Sequence, residues 1–367
     1  MKKRILHVID HLDLGGAQAV LLDLVSLMNR DCWQCEVASM HGRGLFAELL
    51  EEQGIVVHEL SATLWPPGYI NAFLELQPSF DLFHFHLSGA NWIAKPLAAL
   101  LGDQPCIAHD HASADLRFRG QGAVILDSLM HRFSSHIIAV SPEVKEFLIH
   151  HEALSTHQIS VLANGVNVEN FRPFTKKERE EARHFFNLPA EASIIGTAGR
   201  LASEKNQQML LHALARVREK GVNILLLLAG SGPQEKNLRT LASELGILSS
   251  IRFLGKVEQR VLFYRALDLF VLTSRYEGLP MVLLEAMASE IPVVSTDLEG
   301  INHALEGGRY GTLVPVDDLE KLADTLLVHL QEKSSLLHQA RQKVESDFSA
   351  QEATQKLERL YSALLSL

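Results

Sequence analysis

Short apolar runs alternate with amphipathic stretches along the first 170 residues of the chain. The apolar runs are rich in Val, Ile and Leu, which favours strands of a parallel sheet covered by helices on both faces. The stretches between them, such as 17–29 and 91–101, have apolar residues at helical spacing. We predict strands at 4–9, 36–40, 55–60, 82–86, 106–111, 136–140 and 159–162.

This pattern breaks near residue 170 and then begins again. Asn164-Gly165 is typical of a turn, Pro173 follows it, and a charged helix comes next. The alternation of strand and helix then resumes, and the last pattern, at about 349–366, is that of a helix. We predict strands in this second half at 193–198, 223–229, 251–254, 269–273, 292–296 and 312–314.

The repeated alternation predicts an α/β protein with two Rossmann-like domains that face each other across a cleft. We place the first domain at 1–170, the second at 171–348 and a C-terminal helix at 349–367. A length of 367 residues also favours two domains over one. Because such sheets bind ligands at the carboxyl ends of their strands, residues directly after strands are the first candidates for function.

Charge and composition narrow the classes of partner. The net charge is −10, and residues 1–170 contribute −9 of it, from 10 Lys and Arg against 19 Asp and Glu. This acidic balance argues against broad nucleic-acid binding. No run reaches the roughly 18 apolar residues that a membrane span needs, so we expect any membrane contact to be peripheral.

The cysteine content indicates a reducing compartment. Three cysteines in a chain of this length do not make a disulfide framework. Cys32 and Cys35 form a CxxC without a second such pair, and we interpret them as ordinary thiols rather than as a redox or metal site. The composition therefore predicts a cytoplasmic protein.

A glycine and two cations follow the first strand of the second half. Gly199 and Arg200 come directly after the run 193–198, and Lys205 precedes the next helix. Two cations beside a helix N-terminus suit a diphosphate, because the helix dipole and free N–H groups add to their charge. The alternative is a pair of solvated surface charges.

A second motif, EGLPMVLLE, carries two carboxylates after the run 269–273. Glu277 precedes the predicted helix, and Gly278 allows its backbone to approach a ligand closely. Glu285 falls within the helix on an apolar face, where a carboxylate is costly to bury without a partner. We interpret both as acceptors for sugar and ribose hydroxyls, with a solvated Glu on a helix edge as the alternative.

Two more glycine turns join a strand to a helix. Gly15 and Gly16 precede the first helix, and Gly230 follows the run 223–229. Bare backbone at a helix start permits close approach of a phosphate, although a turn without a ligand is the commoner case. These turns support a nucleotide site only together with the other motifs.

Histidines are concentrated in the first half of the chain. Two His-x-His pairs end strands, His84 with His86 and His109 with His111. Positions two apart share one face of a strand, so either pair could hold a metal ion or line a cleft. A structural role is the alternative for each of these histidines.

Taken in order, the motifs resemble those of glycosyltransferase family 4, the retaining enzymes of the GT-B fold. The family's GR, K and E-x7-E pattern is present as Gly199-Arg200, Lys205 and Glu277 to Glu285. The resemblance covers essentially the whole chain and is strongest over 193–300. It implies a GT-B fold in which the C-terminal helix crosses back to the first domain.

The resemblance also implies roles for residues of the first half. GGAQ resembles the family's glycine-rich donor loop, and IAHDHAS resembles the stretch with its active-site histidine. His111 would then contact the sugar from the acceptor side, while His109, two residues earlier on the same face, is the alternative. The sequence AHDH is most like that of enzymes in exopolysaccharide and capsule synthesis.

In the second half, the resemblance assigns the diphosphate to Arg200 and Lys205, the ribose to Glu285 and the transferred sugar to Glu277. Backbone N–H groups of 15–17, and of Gly278 with Leu279, would help to neutralise the charge on the leaving group.

The implied reaction is retaining transfer of a sugar from a nucleotide-diphosphate sugar, with UDP-sugars favoured, to a glycan, lipid-linked or small-molecule acceptor. The chain lacks a D-x-D motif, so we expect neither an obligatory metal nor another cofactor. The rival functions are a nucleotide-sugar epimerase or a phosphorylase of the same fold, a non-catalytic nucleotide-binding protein, and a metal-dependent hydrolase built on the His-x-His pairs.

Overall fold

A computed structural model describes residues 2–13, 15–60, 66–110, 121–152, 154–331 and 336–366, except the side chains at 66–69, 121, 123 and 331. The chain divides into two compact units. Unit 1 contains Met1–Gly165 together with Ala350–Leu367, and unit 2 contains Val166–Ser349. The divisions therefore fall after residues 165 and 349, where the sequence pattern places them after 170 and 348.

Unit 1 is built on one parallel sheet of seven strands in the order β3-β2-β1-β4-β5-β6-β7. All seven predicted runs form strands, with small shifts at their ends, and residue 111 of the predicted fifth run lies outside the described residues. The strands are β1 Lys3–Ile9, β2 Trp33–Ser39, β3 Val56–Glu59, β4 Leu82–His86, β5 Cys106–Asp110, β6 His136–Ala139 and β7 Ile159–Val161.

Helices connect these strands. Ser141 and Pro142 show how one of them starts, because the Ser141 hydroxyl accepts the Val144 N–H at 3.2 Å and Pro142 is the first helical residue. The described helices are α1 Gly16–Leu27, α2 Leu45–Glu52, α3 Pro66–Leu76, α4 Lys95–Leu101, α5 Gln121–His131 and α6 Pro142–Glu152, with short helical turns at Gln77–Ser79, Leu87–Gly89, Ala90–Ala94 and Thr156–Gln158.

Unit 2 is built on a parallel sheet of six strands in the order β10-β9-β8-β11-β12-β13. All six predicted runs form strands. The second of them is buried along its whole length, which explains why its sequence, ILLLLA, is apolar throughout rather than alternating. The strands are β8 Ser193–Ala198, β9 Ile224–Ala229, β10 Ile251–Gly255, β11 Leu269–Leu272, β12 Val293–Thr296 and β13 Thr312–Val314.

The helices of unit 2 begin with the charged helix predicted after the break in pattern. It starts with a capping box, in which the Thr175 hydroxyl accepts the Glu178 N–H and the Glu178 carboxylate accepts the Thr175 N–H. The described helices are α7 Lys176–Phe185, α8 Gln207–Glu219, α9 Glu235–Glu244, α10 Arg260–Ala266, α11 Met281–Ala288, α12 Glu299–Ala304, α13 Leu319–Gln331 and α14 Leu337–Asp347, with short turns at Ser203–Lys205 and Leu248–Ser250.

The last helix, α15 (Ala350–Leu364), belongs to unit 1, as the family resemblance implies. It packs against α1, and its Glu358 carboxylate accepts the Asn29 N–H at 2.7 Å just beyond that helix. Its Tyr361 is fully buried and packs edge-on against Trp33, with 5.6 Å between ring centres. The C-terminal helix is therefore part of the core of unit 1.

Among the described helices, none is both long enough and apolar enough to cross a membrane.

The three cysteines are free, and two of them are buried. Burial raises the pKa of the Cys35 thiol to about 12, and the pKa of Cys106 to about 12 for the same reason. Both side chains therefore remain thiols at neutral pH, and for Cys35 this fits the interpretation as an ordinary thiol.

Candidate functional site

The candidate site of unit 2 lies where the order of its strands reverses. From β8 the chain moves to β9 and β10 on one side, and β11, β12 and β13 lie on the other side. The carboxyl ends of β8 and β11 are neighbours at this switch point, where open α/β sheets bind their ligands. Gly199 to Lys205 follow β8, and residues 273–277 follow β11.

Gly199 and Gly230 pack backbone against backbone at this edge. Both have positive φ, +148° and +132°, which side chains rarely adopt. A Cβ on Gly230 would lie 1.9 Å from the carbonyl oxygen of Gly199. Packing of the turns after β8 and β9 therefore requires glycine at 230, whereas at Gly199 the positive φ favours glycine and a Cβ would meet only the Lys205 side chain at 3.9 Å.

The two predicted cations each contact a carboxylate. The Arg200 guanidinium pairs with Glu204, one turn further along, and the Arg200 side chain remains 68% exposed. The Lys205 amine pairs with Glu277, and these side chains are only 24% and 12% exposed. The structure thus brings together two residues that the sequence assigns to the same donor, one from each strand of the switch point.

Nearby groups set the charge and orientation of these carboxylates. Glu277 also accepts the Ser274 hydroxyl at 2.9 Å. Burial alone would raise the pKa of Glu204, but its hydrogen bonds to backbone N–H and to Arg200 bring that pKa below its ordinary value. Glu204 is therefore ionised at neutral pH and balances the charge of Arg200.

Glu285 lies in α11 and is only 2% exposed. Its carboxylate accepts the Tyr264 hydroxyl at 2.6 Å and pairs with the Arg260 guanidinium. Burial raises the pKa of Tyr264 above its usual value, so the phenol stays protonated at neutral pH and donates a hydrogen bond to Glu285. The partner that a buried carboxylate requires is therefore supplied by α10, and sequence analysis missed it.

A signal for that partner does exist in the sequence. Arg260 and Tyr264 are four residues apart, so they lie on one face of a helix and can reach the same neighbour. The sequence does not show that α10 packs with this face against Glu285.

Gly278 and Leu279 follow Glu277 and form the approach to α11. A Cβ on Gly278 would meet no described atom within 4 Å, so packing alone does not require glycine there. A Cβ on Gly300, at the start of α12, would lie 2.2 Å from the Gly278 carbonyl oxygen. Gly300, which sequence analysis did not single out, therefore allows α12 to begin directly against the 278–279 backbone.

Unit 1 places Gly15 and Gly16 at the start of α1, as the sequence predicts. Gly15 is the residue before the helix and Gly16 is its first residue, and Gly15 has no side chain with which to cap this end. Gln18 is buried beside it and donates from its side-chain amide to the His11 carbonyl at 3.1 Å. The first backbone N–H groups of α1 are therefore not used by a side chain at the capping position.

Buried histidines cluster on the strands of unit 1. His7 on β1 is in register with His84 on β4, and His86 is in register with His109 on β5. The rings of His84 and His109 stack with 5.2 Å between their centres. His109 is thus part of a cluster of buried histidines, and His111, the other candidate for the active-site histidine, lies outside the described residues.

Three of these histidines could hold a metal ion. Ring nitrogens of His7, His84 and His86 lie within 4.8 Å of one another. His7 Nδ1 lies 3.0 Å from His86 Nε2, and His84 Nδ1 lies 2.6 Å from the Tyr361 hydroxyl, so the rings hydrogen-bond to neighbouring side chains. Burial lowers the pKa of His7 to about 3, which keeps this imidazole neutral at physiological pH.

Comparison with known proteins assigns the chain to a family. Residues 14–170 match the model described as glycosyltransferase family 4, and residues 178–346 match the model described as glycosyl transferases group 1. The chain is 30% identical over 322 residues to D-inositol 3-phosphate glycosyltransferase of Corynebacterium jeikeium, covering 81% of this chain and 76% of the relative. The chain belongs to glycosyltransferase family 4.

Other relatives of this family 4 glycosyltransferase extend the comparison. The capsular polysaccharide biosynthesis glycosyltransferase CapM of Staphylococcus aureus is 27% identical over 242 residues, which cover 63% of this chain and 62% of CapM. The crystal structure of Anabaena HepE in complex with UDP and glucose matches with a TM-score of 0.87 at 22% identity, covering 98% and 99% of the two chains. The glycosyltransferase therefore has the GT-B fold that its motifs imply.

Proposed function

We propose that this family 4 glycosyltransferase transfers a sugar from a nucleotide-diphosphate sugar to a glycan, lipid-linked or small-molecule acceptor, with retention at the anomeric carbon. UDP-sugars are the favoured donors. The observation that carries the proposal is the Lys205–Glu277 pair at the switch point between β8 and β11. A cation and a carboxylate side by side suit the two halves of such a donor, its diphosphate and its sugar hydroxyls.

In this proposal the cations act on the leaving group. The bond between the anomeric carbon and a diphosphate oxygen breaks, and the diphosphate leaves with the electron pair. Lys205 and Arg200 then stabilise the growing negative charge, which is usually the largest catalytic contribution. Backbone N–H groups at Gly278 and Leu279 would donate to the same phosphates.

The acceptor hydroxyl attacks the same face of the sugar that the diphosphate leaves. Its oxygen bonds to the anomeric carbon, and its proton passes to an oxygen of the departing phosphate. His111 would contact the sugar from the acceptor side, with His109 as the alternative. Retention follows because bond breaking and bond making occur on one face.

Donor binding must change the partner of Glu277. In this structure the Lys205 amine is neutralised by Glu277, so an incoming diphosphate competes with Glu277 for it. Once Glu277 is released from Lys205, the carboxylate oxygens of Glu277 are available to accept hydrogen bonds from hydroxyls of the transferred sugar. Glu285 would accept ribose hydroxyls with the acceptor capacity that remains beside Tyr264 and Arg260, since a carboxylate has about four lone-pair sites.

The biological setting is proposed from relatives. CapM is a capsular polysaccharide biosynthesis glycosyltransferase, and HepE has been solved with UDP and glucose. We extend these descriptions to a role in the synthesis of a cell-surface polysaccharide or lipopolysaccharide, at the cytoplasmic face of the membrane and without an obligatory metal.

A peripheral contact with lipid would suit a lipid-linked acceptor. Helix α5 exposes Ile125 by 62% and Leu129 by 45%, and the two are one helical turn apart on the same face. We expect the chain to sediment with phospholipid vesicles and the double variant Ile125→Ser, Leu129→Ser to sediment less. Equal sedimentation of both proteins would remove α5 from the contact.

The most direct test of the proposed donor is a thermal-shift series with UDP-, GDP- and ADP-sugars, followed by turnover assays with the sugar that binds. A ligand that binds only the native state raises its unfolding temperature by mass action. Conversion of the donor that does not depend on an acceptor would favour an epimerase. Binding without any conversion would favour a non-catalytic nucleotide-binding protein.

A further inference from the structure

The turn that carries Lys205 ends in an uncommon backbone conformation. Asn206 follows Lys205 in the left-handed region, with φ 49° and ψ 38°. Asp317, after β13, is also left-handed, with φ 62°. The Asn206 side-chain amide donates to Asp317 Oδ1 at 2.8 Å, so a hydrogen bond joins the two left-handed residues.

Arg275 joins the same carboxylate to the loop after β11. Its Nε donates to Asp317 Oδ1 at 3.0 Å and lies 3.1 Å from Oδ2. Its backbone N–H donates to the Glu204 carbonyl at 2.8 Å, within the turn Ser203–Lys205. Arg275 lies only two residues before Glu277, so Asp317 is linked to both loops of the Lys205–Glu277 pair.

The inner side of this turn is fixed by a different residue. The Thr273 hydroxyl lies 3.1 Å from the Lys205 carbonyl oxygen and 3.0 Å from the Asn206 carbonyl oxygen, and Thr273 is almost fully buried. The backbone of Lys205 is thus held by Thr273 from the core and by Asp317 from the solvent side.

We propose that Asp317 is a positioning residue: with Asn206 and Arg275, it holds the turn that presents Lys205 in register with the loop that presents Glu277. This inference rests on the proposed role of Lys205 at the donor diphosphate. The side chains of Arg275 and Asp317 are 46% and 53% exposed, and exposed pairs contribute little to stability. Loss of Asp317 also removes an acceptor from the buried Asn206 amide, so we expect a small loss of stability beside the main effect on turnover.

Asp317→Gly is the informative variant, because glycine accepts the positive φ while removing both hydrogen bonds. Asp318→Asn is the matched control. Asp318 is the next residue and its carboxylate accepts the Lys321 N–H at 2.9 Å, which an asparagine oxygen can replace. The control removes the same charge without touching Asn206 or Arg275.

We expect Asp317→Gly to lower kcat by about tenfold to a hundredfold, the effect of a small misplacement of a catalytic group. The unfolding temperature should stay close to that of the wild type, and Asp318→Asn should keep wild-type kcat. Because Asp317 acts through Lys205, adding Asp317→Gly to Lys205→Ala should cause no further loss. If the glycine variant does not fold, Arg275→Ala breaks the link from its other end and should give the same result.

Two outcomes would overturn the inference alone. One is wild-type kcat in Asp317→Gly while Lys205→Ala is impaired, and the other is losses that simply multiply in the double variant. Wild-type kcat in Lys205→Ala itself would overturn both this inference and the diphosphate role on which it rests.

Discussion

The amine of Lys205 and the carboxylate of Glu277 form an ion pair across the switch point of unit 2. The two residues are 72 positions apart in the sequence, and they meet because β8 and β11 are neighbours in the sheet. Each is mostly buried, so the pair is shielded from water and salt more than a surface pair would be. Without donor, Glu277 therefore balances the charge of Lys205. Donor binding would replace this carboxylate with the diphosphate as the partner of Lys205.

The first prediction concerns Glu285, which serves both the fold and the proposed donor site. Glu285→Ala removes the acceptor at 2.6 Å from the buried Tyr264 hydroxyl, which keeps only the Val282 carbonyl at 3.2 Å, and takes a carboxylate from Arg260. It should therefore lower the free energy of unfolding by about 1–3 kcal/mol. It should also weaken donor binding by about 1.5–3 kcal/mol, the range for hydrogen bonds to charged groups. Urea unfolding and titration with a nucleotide-sugar measure the two effects separately.

Tyr264→Phe is the control for Glu285, because it removes the hydroxyl but keeps the carboxylate. It should lower stability while leaving donor affinity nearly unchanged. If donor affinity falls equally in both variants, the loss in Glu285→Ala comes from disturbed packing and not from contact with ribose.

The second prediction concerns stability at acidic pH. His7 has a folded-state pKa of about 3, whereas an unfolded histidine has a pKa of about 6.5. Between these values the unfolded state binds the extra proton, so this group makes stability fall as pH falls from about 6.5 to about 3. The slope is at most about 1.4 kcal/mol per pH unit.

The measurement is urea unfolding of His7→Gln and wild type at several pH values between 7 and 4. The variant should lose stability less steeply than the wild type over this range. Parallel slopes for His7→Gln and wild type would contradict the account of His7.

The third prediction concerns metal. In the proposed reaction Arg200 and Lys205 supply the positive charge at the diphosphate, so treatment with EDTA should leave the turnover rate unchanged. Loss of activity on chelation, restored by Mn²⁺ or Zn²⁺, would instead support a metal bound by the ring nitrogens of His7, His84 and His86.

The sequence predicts the strands of both sheets because their burial dictates their composition. A strand such as β9 is apolar throughout since both of its faces are covered, and the turns after strands stand out by their glycines. The positions of Gly199, Lys205 and Glu277 at strand ends therefore follow from the amino-acid pattern alone.

The contacts between distant elements could not be predicted in this way. The partners of Glu285 come from α10, and Asp317 reaches Asn206 from the end of β13, so both depend on how helices and loops pack. The spacing of Arg260 and Tyr264 marks a shared helix face, but no local pattern shows which distant residue a helix face or a loop side chain will contact. The order of the strands, which makes β8 and β11 neighbours, is likewise a property of the folded sheet.

The measurement that tests the central claim most directly is steady-state kinetics of Lys205→Ala and Arg200→Ala with a working donor and acceptor. If both cations stabilise the leaving diphosphate, each variant should lose turnover by a factor of about 10² to 10³, as when one preorganised oxyanion donor is lost. Arg200→Lys should recover only part of it, because lysine lacks the planar fork that engages two phosphate oxygens.

Arg239→Ala is the matched control, since Arg239 is also an exposed arginine paired with a glutamate one helical turn away, and it should turn over like the wild type. Removing a surface charge of that kind typically changes the free energy of unfolding by no more than about 0.5 kcal/mol. Turnover reduced in Lys205→Ala and Arg200→Ala but not in Arg239→Ala is the result this account predicts. Wild-type turnover in both Lys205→Ala and Arg200→Ala would contradict the placement of the donor diphosphate in unit 2.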